Sequence, residues 1–150
     1  MKGRLGHREH AEAAVLHPSA RARALVEIAF GGALGALVRY LLGEAIPTDP
    51  TGFPWDTFTV NMLGCLAMGV LTSYLLGGRP HPFVRPFAIT GYLGGFTTFS
   101  HLIDDLHSLD GEPGLAAVYA VASVVLGWVA VAAGLVLGRR IRRGRPAKEA

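Results

Sequence analysis

Apolar residues are concentrated in four segments of the chain, and polar, turn-forming residues separate them. Each segment reaches the roughly 20 predominantly apolar residues that an α-helix needs to cross a bilayer. The linkers between them read EAIPTDPTGFP, GGRPHP and SLDGEPG, and such proline- and glycine-rich stretches are typical of turns. The pattern predicts an all-α membrane protein with four transmembrane helices, at about 25–43, 55–76, 84–106 and 114–138.

The third apolar segment carries a run of polar and flexible residues, GYLGGFTTFS at 91–100. Glycines, threonines and a serine are out of place in a regular helix that faces only lipid. The fourth segment, GLAAVYAVASVVLGWVAVAAGLVLG, shows the contrast because it contains no charged residue. The run at 91–100 is therefore the first place to look for a function.

Composition agrees with a membrane protein. Hydrophobic residues make up 51% of the 150 residues and charged residues only 17%, against about 25% charged in a soluble domain. We expect one membrane domain at 24–138, between a polar tail at 1–23 and a basic tail at 139–150. The basic residues lie near the chain ends without interleaved aromatic residues, so no nucleic-acid partner is expected.

The distribution of charge predicts the orientation of the chain. With four spans, both termini and the linker between the second and third spans share one side of the membrane. Of the 14 Lys and Arg residues, only Arg39 lies away from that side, and the linkers on the opposite side are acidic. The positive-inside rule therefore places both termini in the cytoplasm of a multi-pass protein of the cell membrane.

Few polar side chains lie within the spans, and two of them have more than one interpretation. Asn61 either makes an interhelical hydrogen bond or faces a water-filled path. Arg39 either extends to the far interface or raises the local anion concentration at a vestibule. Glu27, in the first turn of the first span, is expected to reach the cytoplasmic interface.

Pairs of glycines four residues apart recur along the spans and are typical of helices that pack closely in lipid. An oligomer is also expected, because four helices enclose little space. Paired carboxylates, a nucleophile beside a base and a phosphate-binding loop are all absent from the sequence, which does not predict an enzyme. The glycine pairs are Gly31 and Gly35, Gly91 and Gly95, and Gly134 and Gly138.

Three motifs together point to a family. GGALGALVRYLLG, PWDTFTVNMLGCLAMG and TGYLGGFTTFS occur in this order in a chain with four spans. With them the sequence resembles the Fluc (CrcB) family of fluoride channels, over about residues 28–138. The resemblance implies a dimer of two inverted four-helix subunits, with two fluoride pores and a third helix that is broken at GGFTTFS.

The resemblance also implies a structural sodium ion, which is not transported, at the centre of the dimer. Its ligands would be the backbone carbonyls of Gly94 and Thr97 from each subunit. Broken helices of transporters hold sodium in the same way. The fluoride pore and its vestibule would be lined by Asn61, Phe99, Ser100, Thr98, Tyr119 and Ser123, with Arg39 at the vestibule.

The chemistry of these side chains agrees with fluoride as the ion. Amide N–H groups and hydroxyls can replace the water around a small anion, and the positive edge of an aromatic ring such as Phe99 can meet it. No carboxylate within the spans is suited to proton exchange, so we expect passive export of fluoride down its gradient. Export would relieve the toxicity of fluoride that enters as hydrogen fluoride and dissociates in the cytoplasm.

Two residues depart from the family pattern. The family usually reads TTFSTF where this chain reads TTFSHL, so that His101 replaces a threonine and Leu102 replaces the second pore phenylalanine. Leu102 lacks a ring quadrupole, which puts one fluoride position in doubt. His101 is either a new donor, a source of pH sensitivity or a tolerated substitution.

The charge bias adds a hypothesis about the partner. A subunit that forms an inverted homodimer must insert in both orientations, whereas this chain is strongly biased to one. We therefore hypothesise a dimer with an oppositely oriented paralogue. Two rival functions remain, a proton-coupled small-molecule exporter that would use Glu27, and a non-conducting subunit that serves its partner.

Overall fold

The computed structural model describes residues 18–49, 52–75 and 83–144, and these residues form helices and short connections without a strand. The predictions for the two tails concern residues that lie largely outside these ranges. The helices, labelled in chain order, are α1 Pro18–Ala45, α2 Trp55–Leu75, α3 Arg85–Leu93, α4 Gly94–Phe96, α5 Ser100–Ser108 and α6 Pro113–Arg143.

Three of these helices, α1, α2 and α6, are long and apolar enough to cross a membrane, with 28, 21 and 31 residues. This confirms an all-α chain with several membrane spans. α1 begins earlier and α6 ends later than the apolar pattern indicates, because the arginine- and alanine-rich ends are good helix formers. Arginines in the last turn of α6 also interact favourably with the helix dipole.

The region predicted as the third span is built from three pieces. α3 is wound as a π-helix, with backbone bonds between residues five apart, and it continues into the short α4. The backbone is extended at Thr97, with φ −81° and ψ 153°. Helical structure resumes at Ser100 and continues to Ser108 as α5.

Helix α1 packs against α3 and α4 through glycines on both sides. A Cβ atom added to Gly91 would lie 2.6 Å from the carbonyl oxygen of Ile28, and one added to Gly31 would lie 2.9 Å from the amide nitrogen of Tyr92. Gly35 and Gly95 meet backbone in the same way. Contacts this close leave no room for a side chain, so the packing expected of these glycine pairs is confirmed.

Helix α2 packs against α6 along a second glycine contact. A Cβ atom on Gly134 would lie 2.9 Å from the amide nitrogen of Val70, and one on Gly69 would lie 2.8 Å from that of Leu135. Gly138 meets the side chain of Ser73 and the backbone of Val70. The sequence predicted the packing role of Gly134 and Gly138, but not their partner Gly69, which belongs to no four-residue pair.

The buried apolar core is small, and it lies where α5 meets the start of α6. Leu102, Leu109 and Tyr119 form its centre, with Phe53 and Phe58 packed against it. Elsewhere many large apolar side chains point outward, although Phe96 and Leu93 are buried, and Trp128 of α6 is 78% exposed. Apolar surface on this scale is what a chain surrounded by lipid or by another subunit presents.

Candidate ion pathway

The interruption between α4 and α5 is shaped by Thr97. Its amide and its hydroxyl both donate to the carbonyl oxygen of Leu93, each at 3.0 Å, and so complete the last turn of α4. A threonine side chain that bonds to nearby backbone competes with helix continuation. Gly94 remains helical, with φ −66° and ψ −35°. The chain therefore leaves the helix at the threonines and not at the glycines.

Asn61 of α2 holds the interruption from the side. Its Nδ2 donates to the carbonyl oxygen of Thr98 at 3.0 Å, and the Thr98 N–H donates to its Oδ1 at 2.8 Å. Gly64 lies one turn further along the same face of α2, where an added Cβ would collide with Thr97. The amide of Asn61 thus takes the place of the helical partners that the backbone of Thr98 has lost.

The carbonyls of Gly94 and Thr97 are released from helical hydrogen bonding by this arrangement. In an α-helix, the Gly94 carbonyl would accept from the Thr98 N–H, and the Thr97 carbonyl from the His101 N–H. The Thr98 N–H donates to Asn61 instead, and the His101 N–H donates to the Thr98 hydroxyl at 3.2 Å. Neither amide closes the helical bond.

A second set of side chains connects the interruption to α1. Arg39 Nη1 lies 2.8 Å from His101 Nδ1, and the Thr98 hydroxyl lies 3.1 Å from both His101 Nδ1 and the Ser100 hydroxyl. A guanidinium group only donates hydrogen bonds, so a hydrogen bond between these atoms requires that Nδ1 accepts and that the ring carries its proton on Nε2. Arg39 Nε is buried without a hydrogen-bond partner in the described part of the chain.

Arg39, Thr98 and His101 line a half-open cavity of about 490 Å³ between α1 and α2. Glu44 and Asp56 also line it, so the cavity carries both signs of charge. The sequence assigned these two carboxylates only to acidic linkers, because nothing in their spacing shows that they face Arg39.

The structure brings together five of the residues singled out in the sequence, and it separates others. Phe99 points away from the rest of the chain and is 73% exposed. Ser123 on α6 has a buried hydroxyl without a hydrogen-bond partner among the described residues. The five that lie together are Arg39, Asn61, Thr98, Ser100 and His101.

Tyr119 and Leu102 lie in the small core. Tyr119 is fully buried, and its hydroxyl donates to Asp105 Oδ2 at 2.7 Å. Its ring meets Phe53 edge-on, with the centroids 5.2 Å apart. Leu102 is buried in the same cluster. Within one subunit, both residues therefore pack the joint between α5 and α6. Asp105 was not among the predicted site residues, because a bond across the turn between two helices leaves no periodic signal.

The bond between Tyr119 and Asp105 should stabilise this joint. We expect Tyr119→Phe to lower the free energy of unfolding by about 1–2 kcal/mol, because a partly buried hydrogen bond to a carboxylate is lost. Thermal unfolding in detergent micelles measures the change. Tyr40→Phe is the control, since Tyr40 is 63% exposed. Equal stability of the two variants would contradict this role for Tyr119.

Comparison with known proteins identifies the family of the chain. Residues 26–135 match the family model described as "CrcB-like protein, Camphor Resistance (CrcB)". The chain is 47% identical over 120 residues to a protein of Paracoccus denitrificans, with 76% of this chain and 93% of the relative covered. It is 43% identical over 126 residues to one of Methanopyrus kandleri, with 83% and 95% covered.

A relative from Mycobacterium bovis is 43% identical over 123 residues, which cover 80% of this chain and 93% of the relative. The Paracoccus and Methanopyrus proteins are named "Fluoride-specific ion channel FluC", and the Mycobacterium protein "Fluoride-specific ion channel FluC 1". The chain therefore belongs to the CrcB-like family, whose named members are ion channels and not enzymes.

Proposed function

We propose that this protein is a subunit of a passive, fluoride-selective channel that exports fluoride from the cytoplasm. The observation that carries the proposal is the interruption held by Asn61, in a chain whose relatives are named fluoride-specific ion channels. Its surroundings offer hydrogen-bond donors at membrane depth, and a small anion needs such donors to replace its water.

The donors near the interruption suit an anion. Asn61 Nδ2 uses one N–H on the Thr98 carbonyl, which leaves its second N–H for an ion. The hydroxyls of Thr98 and Ser100 lie 3.1 Å apart and can turn toward the same position. The exposed ring of Phe99 offers a positive edge to a pathway at the subunit surface. Tyr119 and Ser123 would belong to the wall that α6 contributes.

A structural sodium ion fits the released carbonyls. Gly94 and Thr97 would hold it, because the amides that would close helical bonds on their carbonyl oxygens donate elsewhere. Carbonyl oxygens of unwound helices are suitable sodium ligands in membrane proteins. Two carbonyls fill only part of a coordination shell, so a partner subunit would supply the rest. The ion would link the two subunits without being transported.

An inverted dimer explains why functional groups lie on the outside of one chain. A Cβ atom added to Gly94 would meet nothing within 4 Å, and Phe99 projects outward. Both features suit a surface that a second subunit covers. The strong charge bias favours a fixed orientation, with both termini in the cytoplasm of the cell. The partner would then be an oppositely oriented paralogue.

A proton-coupled exporter is less well supported. It needs an accessible carboxylate within the membrane, and Glu27 is the candidate. Glu27 is buried and its Oε1 accepts from Arg23 Nε at 3.0 Å, one turn away on α1. The carboxylate is thus already engaged by a cation of its own helix. Glu27→Gln should therefore leave fluoride transport unchanged, both with and without a proton gradient.

A fluoride-selective electrode tests the proposal directly. Liposomes that contain the protein and are loaded with fluoride should release it, whereas protein-free liposomes should not. The measurement is made with this chain alone and together with an oppositely oriented paralogue. Release that requires the paralogue supports the mixed dimer, and release by this chain alone would refute the fixed orientation. No release in either case would refute the channel itself.

A further inference from the structure

The contact between Arg39 and His101 exists in only one protonation state of the histidine. Arg39 Nη1 lies 2.8 Å from His101 Nδ1, and arginine donates in every state that proteins reach. The bond therefore requires an unprotonated Nδ1. A protonated ring would place a second N–H donor and a second positive charge against the guanidinium.

The protonated ring has a different partner within reach. His101 Nδ1 lies 3.1 Å from the Thr98 hydroxyl oxygen, so that Nδ1–H can donate to it without movement of the backbone. Arg39 would then lose its acceptor and be repelled by the imidazolium. The exchange adds one positive charge to the cavity and frees one guanidinium donor.

Four other charged or titratable side chains surround the contact between Arg39 and His101. Tyr40 and Glu44 of α1 and Asp56 of α2 line the same cavity, and Asp104 of α5 lies beside His101 on its other side. None of these side chains contacts Arg39 through a hydrogen bond or ion pair among the described residues, so the contact with His101 is the one that protonation of the ring would break. Histidine is the side-chain type that suits a switch near physiological pH.

We propose that His101 is a positioning residue for Arg39 and makes the channel respond to acid. Neutral His101 accepts a hydrogen bond from Arg39. Protonated His101 releases Arg39, and the added positive charge attracts fluoride into the vestibule. This inference rests on the proposed channel function. It gives the departure from the family threonine a role, since threonine cannot change charge.

The first test is the tautomer of His101, and it does not depend on transport. The full-length protein is labelled with 15N-histidine in lipid bilayers, and nitrogen chemical shifts distinguish Nδ1 from Nε2 protonation. The signal of His101 is identified by its loss in His101→Asn. We expect the proton on Nε2 at neutral pH, and a loss of this preference in Arg39→Gln. A proton on Nδ1, or no change in Arg39→Gln, would overturn the proposal.

The second test is the pH profile of fluoride release, at equal pH on both sides of the liposome. At fluoride concentrations below saturation, we expect about a threefold or larger increase in flux from pH 7.5 to 5.5, because positive charge in a cleft concentrates anions. The increase should shrink in high salt. Leak of neutral hydrogen fluoride is subtracted with protein-free liposomes.

Three variants separate His101 from the neighbouring carboxylates. His101→Asn places an amide oxygen near the position of Nδ1 and so retains an acceptor for Arg39. The flux of this variant at pH 5.5, divided by its flux at pH 7.5, should fall to about one. Glu44→Gln and Asp56→Asn should retain the ratio of the wild type. An acid response that persists in His101→Asn would overturn the proposal. Absence of fluoride release at both pH values, from this chain alone and together with the paralogue, would refute the channel function, and the tautomer of His101 would still test its contact with Arg39.

Discussion

Asn61→Ala is expected to reduce fluoride flux by at least about 100-fold. The substitution removes both hydrogen bonds to the backbone of Thr98, at 2.8 and 3.0 Å. Without Asn61, the interrupted backbone would hold two unpaired groups, each of which costs about 1–3 kcal/mol where water cannot replace the partner. A total cost of about 3 kcal/mol lowers the population of the interrupted backbone by a factor of about 100. The Thr98 N–H can then return to the Gly94 carbonyl, so the backbone winds into helix and the released carbonyl is lost.

The control for this variant is Thr98→Ala. It deletes the Thr98 hydroxyl but preserves the N–H and the carbonyl that Asn61 binds. Because the Thr98 hydroxyl also accepts from the His101 N–H at the start of α5, we expect Thr98→Ala to cost about 1 kcal/mol of stability. It should nevertheless lose less flux than Asn61→Ala. Flux is measured with a fluoride electrode and folding by thermal unfolding in detergent. Wild-type flux in Asn61→Ala would show that the interruption does not need its amide.

Gly134→Ala is expected to destabilise the protein by about 3 kcal/mol or to prevent its folding. The added methyl group would lie 2.9 Å from the Val70 amide nitrogen and would collide with the Leu66 carbonyl oxygen. Both neighbours are backbone atoms, which cannot rotate away, so α2 and α6 must separate. Overpacking of this kind usually costs 1–3 kcal/mol, and occasionally more.

Gly127→Ala, on the same helix, is the matched control. There the added methyl group would lie 3.6 Å from Cys65 Sγ, an ordinary contact. Alanine is the better helix former by about 1 kcal/mol, so this variant should be as stable as the wild type or slightly more stable. Unfolding of both variants in detergent gives the comparison. Equal losses at the two positions would contradict the close contact between α2 and α6.

Much of the fold follows from the sequence because lipid imposes simple rules on it. The length of the apolar segments predicted the three long helices, and the spacing of glycines predicted the faces on which α1 and α6 pack. The spacing of small residues is informative here because close backbone approach is a main source of helix association in lipid. Gly69 was missed, since no glycine lies four residues away from it on α2.

The candidate site was only partly predictable, for a physical reason. Asn61 and Thr98 were both singled out, but the bond between them joins residues 37 positions apart, and the sequence does not show which backbone groups an amide will bind. The glycines at 91–95 suggested a flexible point, yet Gly91 and Gly95 serve close packing on α1, and the helix ends at Thr97. Side-chain competition for backbone bonds decided the position of the interruption.

The pairing of α2 with α6 has a consequence for biogenesis. The chain is synthesised from α1 onward, so α1 can pack on α3 and α4 before α6 has left the ribosome. α2 must wait in the bilayer with the face around Gly69 uncovered, because Gly134 and Leu135 are made later. A nascent chain that ends before α6 therefore exposes a surface shaped for a glycine-lined helix. Quality control in the membrane can distinguish unfinished from complete subunits by this surface.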